Sequence, residues 1–226
     1  MNIGVLGTGM VGRGLAGRLA ELGHAVVLGT RDPAETLARR GPDRFGQPPA
    51  SEWLKQHPLI KLGTFAESAA HGELLVNATN GAGSLEALRL AGADRLAGKV
   101  LLDLSNPLDF SHGMPPTLFV QGGDSLAEQI QRAFPQARVV KTLNTLTAEL
   151  MVAPAQLAGG DHSVFLSGDD ADAKAVAAAL LRSFGWRDII DLGGLATARG
   201  AEMVLPAWLA LMDALGTPRF NLKVVR

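Results

Sequence analysis

The chain contains no cysteine and no tyrosine. Without cysteine there are no disulfides, no thiolate metal ligands and no cysteine nucleophile, a composition that fits a reducing compartment. No metal site is expected. Without tyrosine no mechanism can use a phenol as proton donor, which removes the Tyr–Lys pair of short-chain dehydrogenases and leaves their fold open. An excess of charge of either sign is also missing: 21 Lys and Arg face 22 Asp and Glu. No strong field draws such a protein to nucleic acid or to an anionic membrane, so a small molecule is the expected partner. The longest apolar run covers only residues 203–212 and includes Pro206, too short for a membrane crossing. The N-terminus enters an apolar strand at once, at Asn2-Ile3-Gly4-Val5-Leu6, with none of the basic and long apolar stretch of a signal peptide. A cytoplasmic protein is expected.

What is there is 47% hydrophobic, enough to bury a substantial core. Short runs rich in Val, Ile and Leu alternate with longer helical patterns, the signature of βαβ units on a parallel sheet. Strands are expected over 2–6, 25–29, 59–64, 73–78, 99–104 and 138–142, and helices over 10–22, 33–40, 66–71, 85–96 and 125–133, the last with Asp124 as N-cap. Residues 41–58, with four prolines, and 106–123, with three, read as loops, long enough to be functional lids. Beyond Pro154 a strand (162–167), a helix (171–184), a strand (188–191) and a long helix (197 to about 215) follow. The expectation is a doubly wound α/β domain over 1–153 and a small C-terminal α/β domain over 154–226, carrying the acceptor site and the means of oligomerisation.

Gly7-Thr8-Gly9-Met10-Val11-Gly12 follows the first strand directly and opens an amphipathic helix. A lone G-x-G-x-x-G is a weak signal, but between strand and helix each glycine serves a separate need. The first permits a tight turn, the second allows the backbone to approach a pyrophosphate, and the third lets helix pack closely on strand. The helix N-terminus then meets the phosphates with its partial positive charge. This is the Rossmann dinucleotide fingerprint. The end of the second strand selects the dinucleotide. An NAD site places an acid there for the ribose hydroxyls, whereas this chain has Thr30 and Arg31. A hydroxyl and a guanidinium bind a 2′-phosphate that a carboxylate would repel, so NADP is the expected cofactor. Asp32 is assigned to capping, since Asp32-Pro33-Ala34-Glu35 reads as a helix start.

Ligands of open α/β sheets lie across the carboxyl ends of the strands. The residues just beyond the fourth, fifth and sixth strands are small and polar: Asn77-Ala78-Thr79-Asn80, Ser105-Asn106-Pro107 and Asn144-Thr145-Leu146-Thr147, with Ala148 following. They offer hydrogen bonds to ribose and carboxamide without adding charge, although turn chemistry alone also favours such residues. No acid–base pair stands out. Of five histidines, only His112, in the second long loop, is placed to approach a substrate. Lys141, near the end of the sixth strand, either reaches the crevice or points outward.

These segments resemble the F420-dependent NADP reductases, whose relatives include the reductase domain of the STEAP metalloreductases. The likeness rests on the Gly7–Gly12 loop, Gly29-Thr30-Arg31, Val139 to Thr145, and Thr197-Ala198-Arg199-Gly200-Ala201-Glu202 leading to Pro206. It implies that Thr8 to Val11 bind pyrophosphate, that Thr30 and Arg31 hold the 2′-phosphate, and that the segment through Ala148 lies beside the nicotinamide. It also implies a small C-terminal domain used in dimerisation. The long segments 41–58 and 106–123 depart from the family pattern where an acceptor would dock.

Hydride transfer between two ring systems needs proximity and stacking more than proton chemistry. A deazaflavin (F420) or flavin acceptor is therefore the first reading, with Phe110, Met114 and Phe119 as covers. Reduction of a small carbonyl or imine, with His112 or Lys141 as proton donor, and a non-catalytic NADP-sensing module remain open beside it. From Met203 to Leu215 the only charged residue is Asp213, so the last helix needs cover on more than one face, and a homodimer is expected.

Overall fold

The computed structural model describes residues 1–43 and 46–226; Arg44 and Phe45, within the expected loop 41–58, lie outside the described residues. Apolar runs form a ladder of short strands, most of them followed directly by a helix packed back on the sheet. In chain order the elements are β1 (Asn2–Leu6), α1 (Met10–Glu21), β2 (Ala25–Thr30), α2 (Pro33–Ala38), α3 (Ala50–Gln56), β3 (Lys61–Thr64), α4 (Phe65–His71), β4 (Leu74–Asn77), α5 (Gly81–Ala91), α6 (Ala93–Leu96) and β5 (Val100–Asp103). After them come β6 (Leu108–Asp109), β7 (Thr117–Leu118), α7 (Leu126–Ala133), β8 (Arg138–Thr142), α8 (Ala148–Val152), β9 (Ser163–Ser167), α9 (Ala171–Phe184), β10 (Asp188–Asp191), α10 (Ala198–Met203) and α11 (Leu205–Leu215).

Eight strands form one sheet in the order β10-β9-β8-β5-β4-β1-β2-β3. The pairing is parallel throughout except between β8 and β9. The winding reverses between β1 and β4, which opens a crevice at their carboxyl ends. β4 and β5 are buried along their whole length, as strands with helices on both faces must be. Side chains alternate between two cores. Ile3, Val5, Leu28, Val76, Leu102, Val140, Phe184 and Trp186 fill one face, and Leu6, Leu75, Leu101, Val139, Leu88 and Ile130 the other. The sheet continues without a break past residue 153, the boundary expected between two domains, because β9 pairs directly on β8.

Several expectations need correction. The proline-rich segment 41–58 contains α3, and the segment 106–123 carries an antiparallel hairpin, β6 with β7. The expected helix 85–96 begins earlier, at Gly81, and breaks at Gly92, whose φ of +94° takes the chain out of the helix. The expected helix 197–215 breaks at Val204, because Pro206 in the first turn of α11 has no N–H to continue the ladder. The N-cap of α7 is Ser125, not Asp124: its hydroxyl accepts from the Glu128 amide at 3.1 Å, while Asp124 binds Arg132 and Gln129. Among the described residues no helix is long and apolar enough to cross a membrane.

Candidate functional site

At the crevice the glycine loop has little freedom. Gly7 has a φ of +113°, and a Cβ there would lie 2.6 Å from the carbonyl oxygen of Ala78. A Cβ on Gly12 would collide with the carbonyl of Gly7, so only glycine lets α1 sit this close to the loop. Gly9 is different. Nothing lies within 4 Å of where its Cβ would be, and it heads α1 without any side chain capping the helix. The first amides of α1 are thus left for a ligand in open space, which is what a pyrophosphate needs. Thr8, Met10 and Val11 are half-buried around this point.

At the end of β2, Thr30 is buried with its Oγ1 2.8 Å from Oγ1 of Thr36. Arg31 is exposed, and among the described residues its guanidinium has no partner. Asp32 accepts from the Glu35 amide at 3.0 Å as the N-cap of α2, with Pro33 in the first turn. That carboxylate belongs to the helix. The residues present therefore fit a 2′-phosphorylated dinucleotide.

The strand ends converge as the winding requires, but many of their polar groups bind one another. Asn77 is fully buried: its amide donates to Ser84 (2.6 Å) and Asp103 (2.8 Å), and its carbonyl accepts from the Thr79 hydroxyl at 2.7 Å. Asn80 caps α5 through the Ala82 amide. Asn106 and Asn144 hold each other, Nδ2 of Asn106 donating to the Asn144 carbonyl (2.9 Å) and Nδ2 of Asn144 to Oδ1 of Asn106 (3.0 Å). Asn144 also donates to the Ala201 carbonyl. Pro107, Thr145, Leu146 and Ala148 are buried beside them, and Ala78 packs against the glycine loop. Leu143, just before Asn144, has a φ of +61°, a conformation that costs a residue with a Cβ about 1–2 kcal/mol. Such strain collects where a backbone serves more than packing. A groove of about 500 Å³ runs beside the glycine loop, lined by Met10, Arg13, Gly14, Ala148 and Arg219 among others.

Neither proton-donor candidate stands free in the crevice. Lys141 neither reaches the crevice nor points outward: its side chain is fully buried, with Nζ 2.9 Å from Asp103 Oδ2 and 2.8 Å from Glu202 Oε1, and it also donates to the Ser105 carbonyl. Burial alone would lower its pKa, but Asp103 and Glu202 outweigh this and hold it above the usual lysine value. The ammonium keeps its proton. His112 is exposed in the hairpin segment. Sequence reasoning gives Asp103 no part in the site and Glu202 none beyond its place in a motif. A signal for them exists, since Asp103 and Lys141 are charges in strands buried on both faces, and they are register partners. Arg199 forms a two-pronged pair with Glu128 of α7, at 2.9 and 2.6 Å.

Residues 2–107 match the family of NADP oxidoreductases described as coenzyme F420-dependent. A crystal structure from Arthrobacter sp. FB24, provisionally named an F420-dependent NADP reductase, is 62% identical, with a TM-score of 0.96 and all of each chain covered. The chain belongs to the F420-dependent NADP reductase family. Members of this family are NADP-dependent oxidoreductases. The F420-dependent NADP reductase of Methanothermobacter marburgensis is 29% identical over 93% of this chain and 92% of its own length. The metalloreductase STEAP3 of Rattus norvegicus is 30% identical over 91% of this chain, which spans only 37% of that protein.

Proposed function

We propose that the protein passes hydride between NADP(H) and a deazaflavin (F420) or flavin acceptor. The observation that carries this reading is a crevice where an open glycine loop heads α1, Thr30 and Arg31 stand at the end of β2, and the charged and polar groups of the strand ends are buried and bound to one another. Bound NADPH supplies the hydride. The amides around Gly9 and Met10 hold the pyrophosphate, Arg31 pairs with the 2′-phosphate, and the backbone at Ala78, Asn106 and Leu146 orients the far half of the cofactor. The exposed Phe110, Met114 and Phe119 cover the reacting rings from the hairpin segment. A ring acceptor takes up the charge itself, so this chain need not deliver a proton at the moment of transfer.

Carbonyl or imine reduction needs a proton as well. Lys141, enclosed between two carboxylates, is badly placed to give one. We further propose a homodimer built on α11. Of its 11 residues only Leu205 is buried, while Leu211 and Leu215 are exposed. An apolar patch of this kind is usually covered by a partner. The stacking of Phe220 on Trp208, with ring centroids 5.1 Å apart, covers part of one face only. The function is tested by following NADPH oxidation with F420, FMN, FAD and a panel of carbonyls in parallel. Turnover is expected with F420 or a flavin; turnover confined to a carbonyl would replace the reading.

A further inference from the structure

Lys141 is a fully buried ammonium with three partners, enclosed where it is badly placed to give up a proton. Its ammonium joins three elements. Asp103 closes β5, Glu202 lies in α10, and the Ser105 carbonyl belongs to the turn that follows β5. Each partner is itself fully engaged. Oδ1 of Asp103 accepts from Asn77 Nδ2 (2.8 Å), from Ser105 Oγ (2.7 Å) and from the Ser105 amide (3.2 Å). The Glu202 carboxylate accepts from the amides of Leu126 (2.8 Å) and Ala127 (3.1 Å) at the start of α7. The surplus negative charge is therefore spread over a helix start and a set of fixed donors.

The strands that this network reaches are not a random set. Arg31 places the adenosine end of the cofactor at β2, and the glycine loop places the pyrophosphate between β1 and α1. The sheet order then leaves β4, β5 and β8 for the other nucleoside. Those three strand ends are the ones joined: β4 through Asn77, whose carbonyl also fixes Thr79, β5 through Asp103 and Ser105, and β8 through Lys141 itself. Asn106, next to Ser105, is in turn clasped by Asn144, which binds α10 one residue before Glu202.

Burying an ammonium with two carboxylates is costly, and apolar residues of equal volume often give at least as stable a fold. An apolar side chain at this position would fill the space but would not hold the Ser105 carbonyl or Glu202 in place. We infer that Lys141 is a positioning residue for the nicotinamide half of the cofactor, acting through Asp103, Ser105 and Glu202 on the ends of β4, β5 and β8. This rests on the cofactor's placement in the crevice and not on the identity of the acceptor. Such sites hold their groups to within about 0.5 Å through packing and supporting hydrogen bonds together.

The test compares the binding of NADPH with that of 2′-phospho-ADP-ribose, which lacks the nicotinamide. The double variant Lys141→Met with Glu202→Gln removes one charge of each sign and leaves Oδ1 of Asp103 its donors from Asn77 and Ser105. NADPH should bind about tenfold more weakly, the loss of about one net hydrogen bond, while 2′-phospho-ADP-ribose binds as before. Lys141→Arg keeps the charge balance and alters only the geometry. It should show the same selective loss, and it supplies the test if the double variant does not fold. Equal weakening of both ligands, or no change in NADPH binding by a folded variant, would overturn the inference. Failure of the wild-type protein to bind either ligand would remove the cofactor placement and the inference together.

Discussion

Oγ1 of Thr30 and Oγ1 of Thr36 lie 2.8 Å apart, joining α2 to the end of β2, where an NAD-dependent enzyme would carry a carboxylate. One hydroxyl donates to the other, which leaves a hydroxyl hydrogen for an acceptor such as a phosphate oxygen. The neighbouring charge is Arg31. Arg31→Ala should weaken NADPH binding by about 1.5–3 kcal/mol, the range for hydrogen bonds to charged groups, and leave NADH nearly unchanged. Equal losses for both cofactors in a titration would contradict the assignment.

Gly12 and Gly14 make opposite predictions within one helix. A Cβ at Gly12 meets the Gly7 carbonyl, and Gly7 cannot retreat because Ala78 lies behind it. Gly12→Ala should cost about 1–3 kcal/mol of stability by overpacking and should abolish NADPH binding. At Gly14 the nearest atom to a Cβ is 4.0 Å away, so Gly14→Ala should gain up to about 1 kcal/mol from helix propensity. Denaturant titration of the two variants checks both signs.

Much of the cofactor site is legible in the sequence because its signals are local. The strand, the glycine loop and the helix start lie within 21 residues, and Asp32-Pro33 announces the cap of α2. Sequence and structure part where local signals compete. Pro48, Pro49 and Pro58 hide α3, although Pro49 only precedes its first turn. Ser125 and Glu128 spell a capping box, but Asp124 beside them is also a cap former. What the sequence does not show is pairing over distance. Asp103, Lys141 and Glu202 stand on three elements, the first two brought together by the register of β5 with β8 and the third by the packing of α10. The joining of β9 to β8 is equally non-local, an antiparallel pairing that breaks the βαβ rhythm.

The Arg199–Glu128 pair ties α10 to α7 and gives a pH signature. Hydrogen bonding from Arg199 is the largest cause that holds the Glu128 carboxyl below its ordinary value of 4.5. A carboxyl depressed in the folded state stabilises above its unfolded pKa and loses that contribution as the pH falls through the folded one. Arg199→Ala should therefore lower the melting temperature at neutral pH, and the gap from wild type should narrow below pH 4.5. A gap that stays constant into acid would show that the pair does not act through this charge.

Shortening the hairpin between Asp109 and Thr117 should reduce turnover far more than NADPH affinity, because this segment is proposed to cover the rings and not to hold phosphates. The clasp of Asn106 with Asn144 is kept in such a variant. Unchanged turnover would make the hairpin an ordinary connection.

The homodimer is checked by sedimentation at micromolar protein. Leu211→Glu with Leu215→Glu places two charges on the exposed face of α11 and should give a monomer where the wild type is a dimer. A wild type that remains monomeric with and without NADP would return α11 to its own chain.

The central claim is direct hydride transfer from NADPH to a ring acceptor, and isotope transfer tests it most directly. NADPH carrying deuterium at its transferable position is mixed with F420 and the protein in ordinary water. The acceptor product is then examined by mass spectrometry. A deazaflavin accepts hydride at carbon, where the label does not exchange, so the account predicts that the reduced acceptor retains the deuterium. Reduced F420 without the label, or NADPH consumed with no reduction of F420 or of a flavin supplied in its place, would contradict it.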